Sequence, residues 1–279
     1  MIILRSIAET RKALDEWRRQ GRSIALVPTM GYLHEGHLSL VDEAKKHADR
    51  VVVSIYVNPT QFGPNEDLDK YPRDFAHDEA CCQARGVDAV FYPDNAVMYC
   101  PDHSCWVTEE SLSQTMCGAA RPGHFRGVTT VVLKLFNITQ CNVAVFGRKD
   151  AQQALIIQRM VRDLNVPVSI IVAPLVREPD GLAMSSRNKY LSGDERQRAL
   201  SIAAGLKQAA ALFADGERQA AALCELVSAG ITKAGGNIDY VVVMDRDTLR
   251  PLTTIDRPAV LAVAAFFGKT RLIDNVFLD

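Results

Sequence analysis

Two histidines lie three positions apart in a glycine-containing loop, residues 28–37, that follows the apolar run at residues 24–27. In an open parallel sheet such a loop lies at the carboxyl edge, where the following helix offers unpaired N–H groups to phosphate. His34 and His37 can direct ring N–H groups at one anion, and Gly36 allows a close approach to the backbone. We therefore expect phosphate binding here. The alternatives are a surface loop with two solvated histidines, or a zinc pair, which is disfavoured because HExxH has one more residue between its histidines.

A second polar motif, residues 58–63 (NPTQFG), follows the apolar run at 51–57. It therefore falls on the same edge of the predicted sheet. Gln61 could bind a hydroxyl or carboxylate group there, and Phe62 could cover an apolar part of a substrate. The alternative is a chain reversal, for which Asn-Pro is common.

A third motif, residues 121–127 (RPGHFRG), places three cationic or titratable side chains within six residues, with glycines at positions 123 and 127 as hinges. Arg121, His124 and Arg126 could form a clamp over a polyphosphate, or a mobile lid. A solvated basic turn is the alternative.

Two further motifs offer donors to phosphate. In residues 146–150 (FGRKD), Lys149 is placed to meet a phosphate and Asp150 could cap a helix or hold a cation, although the spacing of a Walker loop is absent. In residues 180–188 (DGLAMSSRN), two hydroxyls and Arg187 could bind a pyrophosphate leaving group. An interdomain linker with an ordinary serine cap is the alternative for the second segment.

The five motifs concentrate cationic and imidazole groups in a chain whose formal net charge is −1. A local polyanion pocket, rather than attraction by the whole molecule, is expected, and a nucleoside triphosphate is the obvious ligand. The groups are His34, His37, Arg121, His124, Arg126, Arg148, Lys149 and Arg187.

Apolar runs alternate with helix-compatible segments in the first part of the chain, which predicts a parallel α/β sheet. The expected strands are residues 24–27, 51–57, 89–92, 143–146 and 169–173, and the expected helices are 7–19, 37–47, 72–85 and 151–164. After about residue 179 the alternation stops. Helical residues 194–235 and strands at 240–244 and 259–266 indicate a smaller α+β domain, so we assign domains to residues 1–178 and 179–279.

Composition excludes several classes of protein. With 279 residues, 48% hydrophobic and 23% charged, the chain is globular rather than disordered or disulfide-stapled, and its charge balance does not favour nucleic acid. No stretch approaches the ~20 apolar residues that span a bilayer, so no membrane association is expected. Seven irregularly spaced cysteines favour a reducing compartment, the cytoplasm. A zinc site at Cys100, His103 and Cys105 is disfavoured by its spacing.

Motifs along the whole chain resemble those of the pantothenate synthetase family, in the nucleotidyltransferase superfamily that has HIGH-like and KMSKS-like motifs. They are VPTMGYLHEGHLSLV, SIYVNPTQF, YPRDF, RPGHFRGV, FGRKDAQQ, DGLAMSSRN and TRLIDN. The resemblance implies a Rossmann-like domain that binds ATP and pantoate, with a C-terminal α+β lid. It implies that (R)-pantoate and Mg-ATP form pantoyl adenylate and pyrophosphate, and that β-alanine then displaces AMP. It also implies a homodimer.

The resemblance further assigns site residues. His37 corresponds to the family's proton donor, and it joins His34, Lys149 and Arg187 as the catalytic set. Gln61 and Gln153 correspond to the family's pantoate-binding glutamines, and Asn58, Arg121 and His124 are further expected substrate-binding residues. The implied ATP site comprises Met30, Gly31, Tyr32, Leu33, His34, Glu35, Gly36, His37, Gly147, Arg148, Lys149, Asp150, Val176, Met184, Ser185, Ser186 and Arg187.

Three positions depart from the family pattern: Arg148, Cys117 and His77 stand where acidic residues are usual. Asp78 beside His77 is therefore the one candidate protein ligand for Mg²⁺, which ATP oxygens and water could hold without it. Two other functions remain open at this point. One is a related nucleotidyltransferase, such as a cytidylyltransferase, and the other is a nucleotide-binding regulator without activity.

Overall fold

The computed structural model describes residues 1–64 and 66–279, and the chain divides into two compact units. The first contains Met1–Arg148 and Gln152–Pro174, and the second contains Lys149–Ala151 and Leu175–Asp279. The change between the units falls a few residues before the predicted boundary at 178/179. The role of residues 179–279 as a lid domain stays a prediction.

The first unit is built on a six-stranded parallel sheet with the strand order β1-β4-β3-β2-β5-β6. Its strands coincide with the apolar runs because they are buried on both faces: Ile24 to Val27 and Val51 to Val53 have no exposed surface. The predicted α/β class is confirmed. The strands are β1 (Ile2–Leu4), β2 (Ile24–Thr29), β3 (Arg50–Ile55), β4 (Ala89–Phe91), β5 (Val143–Gly147) and β6 (Ser169–Ala173).

From β2 the chain adds β3 and β4 on one side of the sheet, and β5 and β6 are then added on the other side of β2. The parallel strands β2 and β5 pair through Ala25–Val143 and Leu26–Ala144. In open α/β sheets ligands bind outside the carboxyl ends of the strands at this switch point. The loop after β2, which contains the two histidines, and Gly147 at the end of β5 both lie there.

Seven helices of the described residues precede β6. Ser6 and Glu9 form a capping box that begins α1 at the predicted residue, whereas α2 begins at Glu35, two residues earlier than predicted, because His34 itself caps it. The helices are α1 (Ile7–Arg19), α2 (Glu35–Ala44), α3 (Phe75–Ala84), α4 (Asn95–Met98), α5 (Met116–Ala120), α6 (His124–Thr139) and α7 (Ala151–Asp163).

The second unit consists of two helices and an antiparallel three-stranded sheet, which confirms the smaller α+β architecture. Its core joins buried side chains of both helices and all three strands, including Leu206, Val227 and Phe267. The elements are α8 (Gly193–Ala214), α9 (Ala220–Lys233), β7 (Asn237–Asp245), β8 (Ala259–Phe267) and β9 (Thr270–Leu278).

Among the described residues, no helix combines the length and hydropathy required to cross a bilayer. All seven cysteines lie in that part of the chain and none is in a disulfide. Cys100 and Cys105 are exposed, and the His103 ring between them packs edge-on against Tyr99 and Trp106. Within residues 1–64 and 66–279 there is no group of three or more metal-binding side chains, at this position or elsewhere.

Candidate active site

The two histidines of the β2–α2 loop are held in one orientation by the start of the helix. The Gly36 N–H donates to His34 Nδ1 at 3.1 Å, and the His34 N–H donates to His37 Nδ1 at 3.3 Å. The ring centroids are 4.1 Å apart. A neutral imidazole that accepts at Nδ1 carries its hydrogen on Nε2, so both rings present an Nε2–H donor. The two rings are paired, and the anion binding expected from the sequence stays a prediction.

Asp78 fixes the backbone of the same loop from α3. Its two carboxylate oxygens accept the N–H groups of Tyr32, at 2.8 Å, and Leu33, at 2.7 Å. The loop turns through left-handed φ angles at Gly31 and Tyr32, and a Cβ at Gly31 would lie 2.8 Å from Asp78 Oδ2. Burial raises the pKa of Asp78, although the two N–H donors oppose the rise. Asp78 therefore positions the loop, and its role as a magnesium ligand stays a prediction.

His77 accounts for one departure from the family pattern. Its Nε2 lies 3.0 Å from the backbone oxygen of Leu33, to which it donates. Leu33 is consequently held at its N–H by Asp78 and at its carbonyl by His77. An ionised acidic residue could not donate this second hydrogen bond.

Gln61 lies in the tight turn Pro59–Gln61 after β3, where Asn58 orients it. Asn58 Nδ2 donates to Gln61 Oε1 at 3.1 Å and to the Gly127 carbonyl at 3.2 Å. Gln61 Nε2 lies 3.2 Å from the Met30 sulfur, so the glutamine motif and the histidine loop touch each other. The structure thus brings together two motifs that the sequence placed at the same sheet edge.

Arg121 and His124 contact the protein in ways the sequence did not predict. Arg121 pairs with Glu66 through Nε, at 2.7 Å, and Nη2, at 2.5 Å. His124 Nδ1 donates to the backbone carbonyl of Gln61 at 2.8 Å. Their expected role as a substrate clamp is therefore unsupported by this geometry, and no sequence signal linked Glu66 to Arg121.

The adjacent glutamines at the start of α7 differ in their surroundings. Gln152 is buried, accepts the Cys117 N–H at 3.0 Å, and donates to the carbonyls of Leu112 and Thr115. Gln153 is half-buried, and no described residue hydrogen-bonds its side chain. Gln152 thus holds the 112–117 segment, which leaves Gln153 able to bind a substrate.

The second unit brings the lysine of FGRKD and the serines of DGLAMSSRN together. Lys149 and Ser185 line the same small hollow, and Asn275 Nδ2 donates to the Lys149 carbonyl at 3.0 Å. Ser185 caps the turn Ser186–Tyr190 by accepting the Arg187 N–H. Met184 donates its N–H to the Val176 carbonyl at 3.0 Å, so these two predicted ATP contacts are neighbours.

The hairpin that carries these residues is anchored to β9. Arg177 makes two hydrogen bonds to Asp274, at 2.6 and 3.1 Å, and the Asp274 side chain is 3% exposed. Asn188 Nδ2 donates to Glu178 and to the Ala183 carbonyl. Asp274 belongs to the terminal TRLIDN motif. No signal in the sequence indicated that this motif anchors the hairpin.

The family model described as pantoate-beta-alanine ligase matches residues 2–277. The chain belongs to the pantoate–β-alanine ligase family. The pantothenate synthetase of Thermotoga neapolitana is 53% identical over 279 residues, which are all of this chain and all of that protein. This family is the one that the motifs had indicated, so the predicted membership is confirmed, and with it a ligase activity.

Solved structures of the same family superpose over nearly the entire chain. The pantothenate synthetase of Thermus thermophilus is 41% identical with a TM-score of 0.94, covering 99% of both chains. The ligase of Francisella tularensis, solved with β-γ ATP and β-alanine, is 34% identical with a TM-score of 0.83, covering 99% of this chain and 97% of that one.

Proposed function

We propose that this ligase condenses (R)-pantoate with β-alanine at the expense of ATP, through pantoyl adenylate. The pantoate carboxylate attacks the α-phosphorus of ATP and pyrophosphate leaves. The β-alanine amine then attacks the acyl carbon, loses a proton, and AMP leaves with pantothenate as the product. The observation that carries the proposal is the contact between Gln61 and Met30, which brings the pantoate motif against the histidine loop.

The first step needs positioning and charge neutralisation rather than a general base. A carboxylic acid of ordinary pKa, about 4, is ionised at neutral pH. The neutral amides of Gln61 and Gln153 can hold pantoate without forming an ion pair that would weaken its carboxylate as a nucleophile. The Nε2–H groups of His34 and His37 stabilise charge that develops on the phosphoryl oxygens, a contribution of about 3 kcal/mol for one donor.

Residues 147–150 and 184–187 are proposed to bind the nucleotide in the way the family resemblance implies. Gly147, Arg148, Lys149, Asp150, Val176, Met184, Ser185, Ser186 and Arg187 keep their predicted assignments. Lys149 and Arg187 supply positive charge for the phosphates and the departing pyrophosphate. Lys149 and Ser185 lie at one small hollow, so the two motifs are neighbours.

Magnesium is bound as part of the Mg-ATP substrate in the proposed reaction. Asp78 keeps its predicted assignment as the one candidate protein ligand, with each of its oxygens already accepting one backbone N–H of the histidine loop. Phosphate oxygens and water supply the coordination that Mg²⁺ usually retains.

We further propose a homodimer in the cytoplasm. All seven cysteines lie in the described residues as free thiols, which favours a reducing compartment. Sedimentation of the purified chain at micromolar concentration tests the dimer, and a monomer would contradict it.

Steady-state kinetics of Gln61→Ala test the assignment of the pantoate site. The variant should raise the KM for pantoate about tenfold or more, the loss expected for a hydrogen bond to a charged group, and leave the KM for ATP within twofold. Product analysis of the wild type should show pantothenate and AMP. A cytidylyltransferase would instead consume CTP without β-alanine, and a regulator would release no pyrophosphate.

A further inference from the structure

The backbone carbonyl of Gln61 is held by two side chains from the start of α6 and the segment before it. Arg121 Nη2 donates to it at 3.3 Å and His124 Nδ1 at 2.8 Å. Both bonds lie on the main chain, so neither of them uses the amide side chain of Gln61. Residues from the RPGHFRG motif therefore fix where the proposed pantoate glutamine lies.

These contacts continue as an ordered relay to a carboxylate. His124 Nε2 lies 3.1 Å from Arg121 Nη1, which can only donate, so Nε2 accepts and the hydrogen of the neutral ring is on Nδ1. Arg121 in turn makes a bidentate pair with Glu66. Each donor in the relay meets an acceptor, from the guanidinium to the Gln61 carbonyl.

The Glu66–Arg121 pair is shielded from solvent, with side chains 24% and 19% exposed. Burial opposes ionisation of Glu66, but the hydrogen bonds and charge of Arg121 outweigh it and hold the pKa of this carboxyl below its usual value. The guanidinium fork already serves Glu66, His124 and Gln61. A substrate carboxylate would have to displace Glu66 to bind Arg121 in the same bidentate manner.

We propose that Glu66, Arg121 and His124 form a latch that positions Gln61 for pantoate without touching any substrate. The inference rests on the proposed role of Gln61 in pantoate binding. Glu66 follows Gln61 in the chain by five residues, and Arg121 contacts both of them. The three side chains act as positioning residues.

Glu66→Gln distinguishes the latch from a direct clamp, because the two roles predict changes of opposite sign. Without the Glu66 charge the latch loosens, and the KM for pantoate should rise about tenfold while kcat and the KM for ATP stay within twofold. If Arg121 binds pantoate itself, removal of its competing carboxylate frees the guanidinium, and the KM for pantoate falls or stays constant.

Glu43→Gln is the matched control. Glu43 lies on α2 and pairs with Lys46. The Glu43 side chain is 23% exposed, close to the 24% of Glu66, and Glu43 has no contact with the latch. This variant should leave all kinetic constants unchanged.

His124 supplies an independent rescue experiment. His124→Asn keeps an N–H donor near the position of Nδ1, whereas His124→Ala removes it. The asparagine variant should recover at least half of the wild-type affinity for pantoate that the alanine variant loses. A purely structural role would lower the melting temperature of both variants without this recovery in KM.

The outcomes also separate the latch from the proposed function. A wild-type chain that releases no pyrophosphate with pantoate and ATP overturns the proposed function. An active wild type whose pantoate KM is unchanged or lowered in Glu66→Gln overturns the latch alone. If Glu66→Gln fails to fold, the His124→Asn and His124→Ala pair decides, and equal pantoate KM values in these two overturn the latch.

Discussion

The rings of His34 and His37 lie with their centroids 4.1 Å apart and their planes tilted by 35°, and each accepts a backbone N–H at Nδ1. The helix start therefore selects the same tautomer in both rings. Each Nε2–H becomes a fixed donor, which is the arrangement that electrostatic stabilisation of a phosphoryl group requires. We expect the motif to act through hydrogen-bond donors whose direction is set before the nucleotide arrives.

His37→Ala should lower kcat for pyrophosphate release by about 10²- to 10³-fold, the cost of one preorganised donor. His37→Gln, which keeps an N–H near the position of Nε2, should lose less. Circular dichroism checks that the fold is retained. His47→Ala, at an exposed histidine paired with Glu43 beyond the end of α2, is the control and should remain fully active. Near-normal turnover of His37→Ala would show that the donor is dispensable.

The two adjacent glutamines of α7 should respond differently to replacement by alanine. Gln152→Ala leaves the buried Leu112 carbonyl and the Cys117 N–H without the partner that Gln152 supplies, so it should destabilise the chain by about 1–3 kcal/mol. Gln153→Ala should leave the free energy of unfolding unchanged and raise the KM for pantoate. Urea unfolding and steady-state kinetics measure the two effects. Equal losses of stability would contradict the division of roles.

The pair Gly127→Ala and Gly230→Ala tests how closely α6 packs on the glutamine turn. A Cβ at Gly127 would lie 2.5 Å from the Thr60 carbonyl oxygen and 2.7 Å from the Gln61 nitrogen, both backbone atoms that cannot rotate away. We expect a loss of stability of about 1–3 kcal/mol and a raised KM for pantoate. Gly230 in α9 has open space around it, so its replacement should stabilise the chain by up to about 1 kcal/mol. If both variants are stabilised, the close contact does not exist.

The stability supplied by Glu66 should depend on pH in a defined direction. Its folded pKa is depressed by Arg121, so its contribution is complete above the ordinary glutamate pKa of about 4.3 and is lost as the pH falls through the folded value. The difference in urea midpoint between wild type and Glu66→Gln should therefore be constant from pH 7 to 5 and shrink below pH 4. The groups that face Glu66 are Arg121, the Gly63 backbone and the His124 ring. A difference that is constant down to pH 3.5 would exclude an ionic role.

Much of the fold follows from local patterns, because strands buried on both faces are continuous apolar runs. The predicted β6 matches the structure residue for residue, and α1 begins at its serine cap. By contrast, β1 has only three residues, too few for a pattern, and β9 alternates polar side chains such as Asp274 and Asn275 with apolar ones. Those two strands were missed.

The sequence indicated the positions of the motifs more completely than the contacts of their individual side chains. The sequence suggested an anion clamp at Arg121 and could not show its pairing with Glu66. The two residues are 55 positions apart in the chain and meet only in the folded structure. No signal in the sequence indicated that Asp78 also holds the loop backbone through both of its oxygens; its role as a magnesium ligand stays a prediction. Side chains that hold other side chains in place leave no local signature.

Mixing the enzyme with ATP and (R)-pantoate, without β-alanine, tests the proposed adenylate most directly. We expect rapid release of one pyrophosphate per active site. Pantothenate and AMP should then form in equal amounts when β-alanine is added. Pyrophosphate release that requires β-alanine from the outset, or that does not require pantoate, would contradict it.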